Sequence, residues 1–300
     1  MIINFFNDLQ NIIQQIPNII MKLNKKILLG SFISMAIVSC NTTNDTLEEQ
    51  TPQEQQSSSG LLAVPASDIP AGFENTHMCK DVYLPGEGNI PGTSSKGAVI
   101  TSKKWPNGSV ITVSLNGGTT KVRNKVMQYA KEWSQYANIT FNFITSGTAQ
   151  IRVTFTPNAG SYSYIGKDAL SIASNKETMN FGWFNDSTSD TEFSRTTIHE
   201  FGHALGMIHE HQHPLAAIPW DKPKVYSYYA GYPNYWTKAQ VDNNLFAKYS
   251  TSQTQYSAYD KLSIMHYSIS STLTTNGFSV GNNTVLSPTD KQFIATAYPF

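Results

Sequence analysis

With 300 residues, 21 Lys and Arg against 21 Asp and Glu, and only 14% charged positions, the chain carries no formal net charge. That balance lacks the basic stripe on which nucleic-acid binding depends, and no nucleic-acid partner is predicted. Its only cysteines are Cys40 and Cys79, which excludes a disulfide framework and leaves stability to a core, for which the length is ample, and to a metal.

Residues 1–20 carry no basic residue and read as lying upstream of the true start. From Met21 the pattern is that of an export signal, residues 21–39: Lys22, Lys25 and Lys26 precede an apolar run at 27–38 that is too short to span a bilayer. It ends Ile37-Val38-Ser39-Cys40, which resembles the lipobox of bacterial lipoproteins and implies a lipid on Cys40. The alternative is an ordinary secretory signal with an incidental cysteine. Residues 40–96 read as a tether followed by a propeptide. Positions 41–60 are polar and without periodicity, and the stretch beyond carries Pro65, Pro70, Pro85 and Pro91.

A globular pattern, assigned to residues 97–300, begins near Ala98. Ile111-Thr112-Val113-Ser114-Leu115 alternates as a strand does, after a turn at Trp105-Pro106-Asn107-Gly108. Thr119 caps a helical run in which Val122, Val126, Met127, Ala130 and Trp133 recur on one face. Strands are predicted at 139–145 and 151–156, loops and turns at 159–176, and a short strand at 178–183. Asp190 or Thr191 would cap a helix running to about Leu205. Tyr226, Tyr228, Tyr229, Tyr232, Tyr235 and Trp236 read as a packing cluster, 237–246 as a short helix. Ser287 to Asp290 caps a last helix that buries Phe293, Ile294 and Ala297. There is no internal repeat and no calcium-binding repeat.

The informative stretch is His199-Glu200-Phe201-Gly202-His203-Ala204-Leu205-Gly206-Met207-Ile208-His209, of the form H-E-x-x-H-x-x-G-x-x-H. Histidines four apart project from one helix face and can grip one ion. Glu200 stands beside them, near enough to a water on that ion to take its proton. Gly206 can turn left-handed, releasing the chain so that His209 returns as a third ligand. Average residue usage would produce this pattern by chance in about one chain of this length in 10⁵.

Together with Ser263-Ile264-Met265-His266-Tyr267, this stretch resembles the metzincin proteases, and within them the astacin family, in a bacterial form. There the third histidine is followed by glutamate, as Glu210 follows His209, and the Met-turn reads S-x-M-H-Y. The resemblance covers about residues 98–300. It implies an α+β metzincin domain: a twisted, mostly parallel sheet with an antiparallel edge strand, an active-site helix above it, and an irregular C-terminal subdomain with a Met-turn and terminal helix. It implies one zinc per chain on His199, His203 and His209, with Glu200 as general base and acid. Tyr267 would ligate the zinc and swing away to stabilise the transition state, over a floor formed by Met265. Glu210 would be buried and meet the mature N-terminus. The strand holding Met179, Asn180, Phe181 and Gly182 matches the edge along which a peptide substrate lies extended.

Two departures from that family bear on regulation. Disulfides usual in animal members are impossible here, and no F-x-G-D propeptide motif precedes residue 98. Cys79 is the candidate replacement, a thiolate on the zinc in the latent form only; the alternative is an incidental free cysteine. His211 and His213, on an exposed-looking turn, and His266 are expected to be structural or solvent-facing, and His77 to lie at the surface. The chain is thus expected to be a zymogen of a zinc endopeptidase acting on proteins and peptides as a monomer. It would touch the membrane only through lipid on Cys40, and a cut between Lys80 and Lys104, within 94–98, would release the mature form outside the cell. A degenerate metzincin serving as a lipid-anchored binding protein is the alternative, which the intact Glu200, histidines and Tyr267 oppose. Glu210 and Tyr267 likewise oppose a matrixin-like enzyme.

Overall fold

The computed structural model describes residues 79–80, 82–84, 99–231, 234–248, 254–255 and 257–300, all within the unit Ser59–Phe300. The export segment, Cys40, the tether and His77 lie outside them.

Strand β1 (Val99–Ile100) pairs antiparallel with the distant β7 (Thr254–Gln255). The alternating run forms β2 (Val110–Asn116), with Ile111 and Val113 turned fully into the core. A parallel neighbour requires a crossover, and helix α1 (Thr120–Ala130) supplies it, capped by the Thr119 side chain and burying Val122, Val126 and Ala130. Strands β3 (Thr140–Phe143), β4 (Ile151–Thr154), β5 (Tyr162–Ser163) and β6 (Met179–Asn180) complete a five-stranded sheet of order β3-β2-β4-β6-β5. All its pairings are parallel except β5 with β6.

One expectation fails here. Met179, Asn180, Phe181 and Gly182 are not the edge of the sheet, because β6 lies between β4 and β5. The edge is Tyr162–Ser163, inside a segment read as loops. The buried Asn180 explains the fold-back: its side-chain amide donates to the Gly160 carbonyl at 2.6 Å and to that of Thr156 at 3.2 Å. Gly160 has φ +80°, and a Cβ on Gly182 would fall 2.6 Å from the Gly160 oxygen, so two glycines permit the close approach.

Helix α2 (Asp190–Ala204) packs on α1 and over the sheet, with Trp133, Phe141, Phe193 and Phe201 in the shared core. The second half is less regular. It holds α3 (Lys222–Ala230), α4 (Lys238–Val241) running into a π-helical turn at Asp242–Phe246, and α5 (Pro288–Ala297) with a Ser287–Asp290 capping box. Tyr229 stacks on Trp236 at 5.0 Å, and Tyr226 and Tyr228 pack on the same cluster, whereas Tyr235 is exposed and Tyr232 lies outside the described residues. Among the described residues no helix is long and apolar enough to cross a membrane.

Candidate active site

Helix α2 carries the first two histidines because both its ends are well satisfied. Ser189 accepts from the Glu192 amide at its start, with Asp190 and Glu192 facing the positive end of the helix dipole. At the other end the Gly206 amide bonds the His203 carbonyl at 2.8 Å and the Met207 amide bonds that of Gly202 at 3.0 Å. These are the two bonds of a Schellman closure, and Gly206 holds φ +96°. The chain therefore reverses beneath the helix and brings His209 back, so that His203 Nε2 and His209 Nε2 lie 3.1 Å apart.

The other ring nitrogens are oriented by backbone. His199 Nδ1–H donates to the Ile264 carbonyl and His203 Nδ1–H to that of Met207, each at 2.8 Å, which aims both Nε2 atoms inward. Burial, then the neighbouring imidazoles, hold His199 and His209 well below the ordinary histidine range, so they stay neutral. His199 Nε2 is buried without a hydrogen-bond partner among the described residues. A buried acceptor of this kind is costly unless something takes its lone pair.

Cys79 completes the cluster. One donor atom from each of Cys79, His199, His203 and His209 lies within 4.8 Å of the others. Four N and S donors on one tetrahedral ion sit about 3.3–3.8 Å apart, so the set fits zinc with little adjustment. The Cys79 thiol also donates to Glu200 Oε2 at 3.3 Å. Its backbone is bridged in parallel to Ser161, beside β5, and its carbonyl accepts from the Tyr267 hydroxyl at 2.5 Å. Tyr267 thus stands over the cluster, its ring 4.2 Å from that of His209.

The Met-turn is anchored from below. The Asp290 carboxylate accepts from Ser263 Oγ at 2.7 Å and from the Ile264 and Ser287 amides at 2.9 Å. Met265 is fully buried under Gly202, where a Cβ would fall 2.5 Å from its sulfur and 3.1 Å from Trp133. The third position between the two helix histidines is therefore glycine for a packing reason. Glu210 is buried, accepts from the Asp260 amide at 2.8 Å, and is pushed up to about 8 by burial, with Asp290 and Asp260 adding to the effect.

His211 and His213 are not on an exposed turn. Both are buried, with His211 Nε2–H donating to the Asn244 carbonyl at 2.7 Å and His213 Nε2–H to that of Ser257 at 3.1 Å. Their structural reading holds and the solvent-facing one does not. Two contributors escaped sequence reasoning. Ser161 to Tyr164 alternates small and large residues as a strand does, a pattern obscured by the surrounding turn residues. The tie from Asp290 to the Met-turn spans 26 residues, and no local pattern reports it.

A mostly parallel sheet under a helix bearing two histidines, a returning third and a methionine turn defines the metzincin class of zinc metallopeptidases. The family model for Astacin, a peptidase family, matches residues 98–298, and the chain belongs to that family. It is similar to two solved structures of myroilysin. One is 81% identical, covering 68% of this chain and 99% of that one with TM-score 0.67; the other is 74% identical, covering 79% and 97% with TM-score 0.57. It is also similar to zinc metalloproteinase nas-17 of Caenorhabditis elegans, 31% identical over 109 residues, 36% of this chain. That match spans 22% of the worm protein's length.

Proposed function

We propose that this zinc metallopeptidase is an endopeptidase made as a zymogen and held latent by Cys79. The observation that carries the reading is the convergence of Cys79 with His199, His203 and His209, donor atoms all within 4.8 Å, beside the Glu200 carboxylate. In this reading His199, His203 and His209 hold the zinc through imidazole nitrogens, and the Cys79 sulfur takes the remaining position until proteolysis removes it. Bound zinc would polarise the scissile carbonyl and acidify a water. Glu200, buried and at the mouth of the cluster, takes the proton of the attacking water and delivers it to the leaving amine. The Tyr267 hydroxyl, once parted from the Cys79 carbonyl, donates to the oxyanion that develops on the substrate, a contact worth about 3 kcal/mol. Met265 and Glu210 support the site from beneath and beside it.

Residues 97–300 form the catalytic domain in this proposal, and residues 40–96 the tether and propeptide. Export through residues 21–39, with a lipid on Cys40, is supported by the basic and apolar pattern of that segment and by Ser39-Cys40. The cut ahead of β1 leaves the lipid with the propeptide and frees a monomeric extracellular enzyme that hydrolyses internal bonds of proteins.

The test is Cys79→Ala in the full-length chain, assayed on casein with and without a zinc chelator. The variant is expected to be active without a processing cut, and the chelator to abolish that activity. A variant as latent as the parent would remove Cys79 from the mechanism. Casein cleavage indifferent to chelation would remove zinc from the catalysis.

A further inference from the structure

Cys79 is followed by a contact that latency does not require. The Lys80 amide donates to the Ser161 carbonyl at 2.9 Å, so the segment continues along the edge of the sheet. From there the Lys80 side chain lies across Gly160. A Cβ on that glycine would fall 2.8 Å from Lys80 Cε and 3.0 Å from Cδ. The ammonium ends on the Ala159 carbonyl, at 2.8 Å.

The shelf beneath this side chain is built into the enzyme and not by the propeptide. The Asn158 amide donates to the Gly182 carbonyl at 3.1 Å, and Asn180 Nδ2 donates to the Gly160 carbonyl at 2.6 Å. Gly160 leaves the surface flat where a Cβ would stand in the way, and the buried Gly182 lets the Gly160 turn lie close against the strand beneath it. A flat floor takes a straight methylene chain, and the carbonyl at its far end takes a donor.

We propose that this shelf is a substrate subsite for a basic side chain, Lys or Arg, at the residue whose amide meets the Ser161 carbonyl, and that Lys80 occupies it in the latent chain. The proposal rests on the endopeptidase reading. Extended peptides of either polarity lay alternate side chains on the same face of a sheet edge, so a substrate can use the shelf whichever way it runs. A glutamate side chain would meet a carbonyl oxygen with no donor to offer. Norleucine would fill the floor and leave the carbonyl without its partner.

The experiment uses the activated enzyme and a matched peptide series carrying Lys, Arg, norleucine or Glu at each of four positions before the scissile bond, with cut sites mapped by mass spectrometry. At one position Lys and Arg should exceed norleucine in kcat/KM by about threefold to tenfold, as for one charge-assisted hydrogen bond near solvent, with Glu lowest. The same ranking is expected for binding of the uncut peptides to Glu200→Gln. Gly160→Asn keeps a residue tolerant of positive φ but fills the shelf, and should abolish the preference of Lys and Arg over norleucine among the peptides that it binds. Equal rates for Lys and norleucine at every position, in peptides that are cut, would overturn the subsite and leave the endopeptidase reading standing. Peptides neither cut nor bound would overturn both.

Discussion

Residues 99–204 and 205–300 are held together in different ways. In the first, hydrogen bonds run in ladders and helices, and the residues between them are Ile111, Val113, Val126 and Phe193, which alternate or recur at helical spacing. In the second, side chains reach backbone groups far away in sequence: Asp290 to Ile264, His211 to Asn244, His213 to Ser257. Periodic apolar packing fixes a scaffold, and specific polar contacts fix the loops laid against it. The candidate site sits on the seam, with His199, Glu200 and His203 on the helix of the first half and His209 and Tyr267 from the loops of the second.

The largest effect belongs to the helix side of that seam. Glu200→Gln is expected to lower kcat by about 10³-fold or more, as for a lost general base, while the metal content of the purified protein stays the same. Loss of zinc together with activity would mean that Glu200 belongs to the ligands and not to the proton transfers.

The loop side is tested at Asp290. Its carboxylate joins the cap of α5 to the Met-turn, whose Ile264 carbonyl in turn orients His199. Asp290→Ala leaves the Ser263 hydroxyl and two buried amides without this acceptor and should cost about 3 kcal/mol in urea unfolding of the latent protein. It should also weaken zinc retention although no ligand is touched. A loss below about 1 kcal/mol, the net worth of a single ordinary hydrogen bond, would show that the second half does not depend on its polar ties.

Where the halves press together, Gly202→Ala sets a methyl against the Met265 sulfur and the Trp133 ring. Overpacking of this kind costs about 2 kcal/mol. Restoring space with Met265→Ala in the double variant should recover part of it. Purely additive losses would deny that the two residues touch.

Much of this was readable in advance, and the failures share a cause. The zinc motif, the Thr119 and Ser287 caps and the strands at Ile111 and Ile151 were legible because their signals are local. For α2 the cap is Ser189, one residue before Asp190. The edge strand was misplaced onto Met179–Gly182, and the burial of His211 and His213 was missed, because both depend on where a loop folds back. Asn180 holding the Gly160 turn, and Asn244 receiving His211, are pairings at 20 and 33 residues. Composition cannot reveal which of many asparagines makes them.

The contrast between the halves is sharpest where the first departs from its own rule. On α2, Trp183 Nε1, Thr196 Oγ1 and the Arg195 guanidinium all donate to Glu192, at 2.8, 2.8 and 2.6 Å to Oε1, with Arg195 Nε at 2.9 Å to Oε2. Burial alone would raise the Glu192 carboxyl, but the Arg195 contacts and the two neutral donors outweigh it and hold it below the ordinary glutamate value of 4.5. The folded state therefore releases this proton more readily than the unfolded chain does. Its stabilisation is complete above the unfolded pKa and is lost as pH falls through the folded one. Glu192→Gln should accordingly cost about 1 kcal/mol at neutral pH and narrow the gap to the parent below pH 4.5. Urea titrations of the latent protein at several pH values measure this directly, and a gap that widened in acid would mean that burial prevails at Glu192 and the cluster is no stabilising exception.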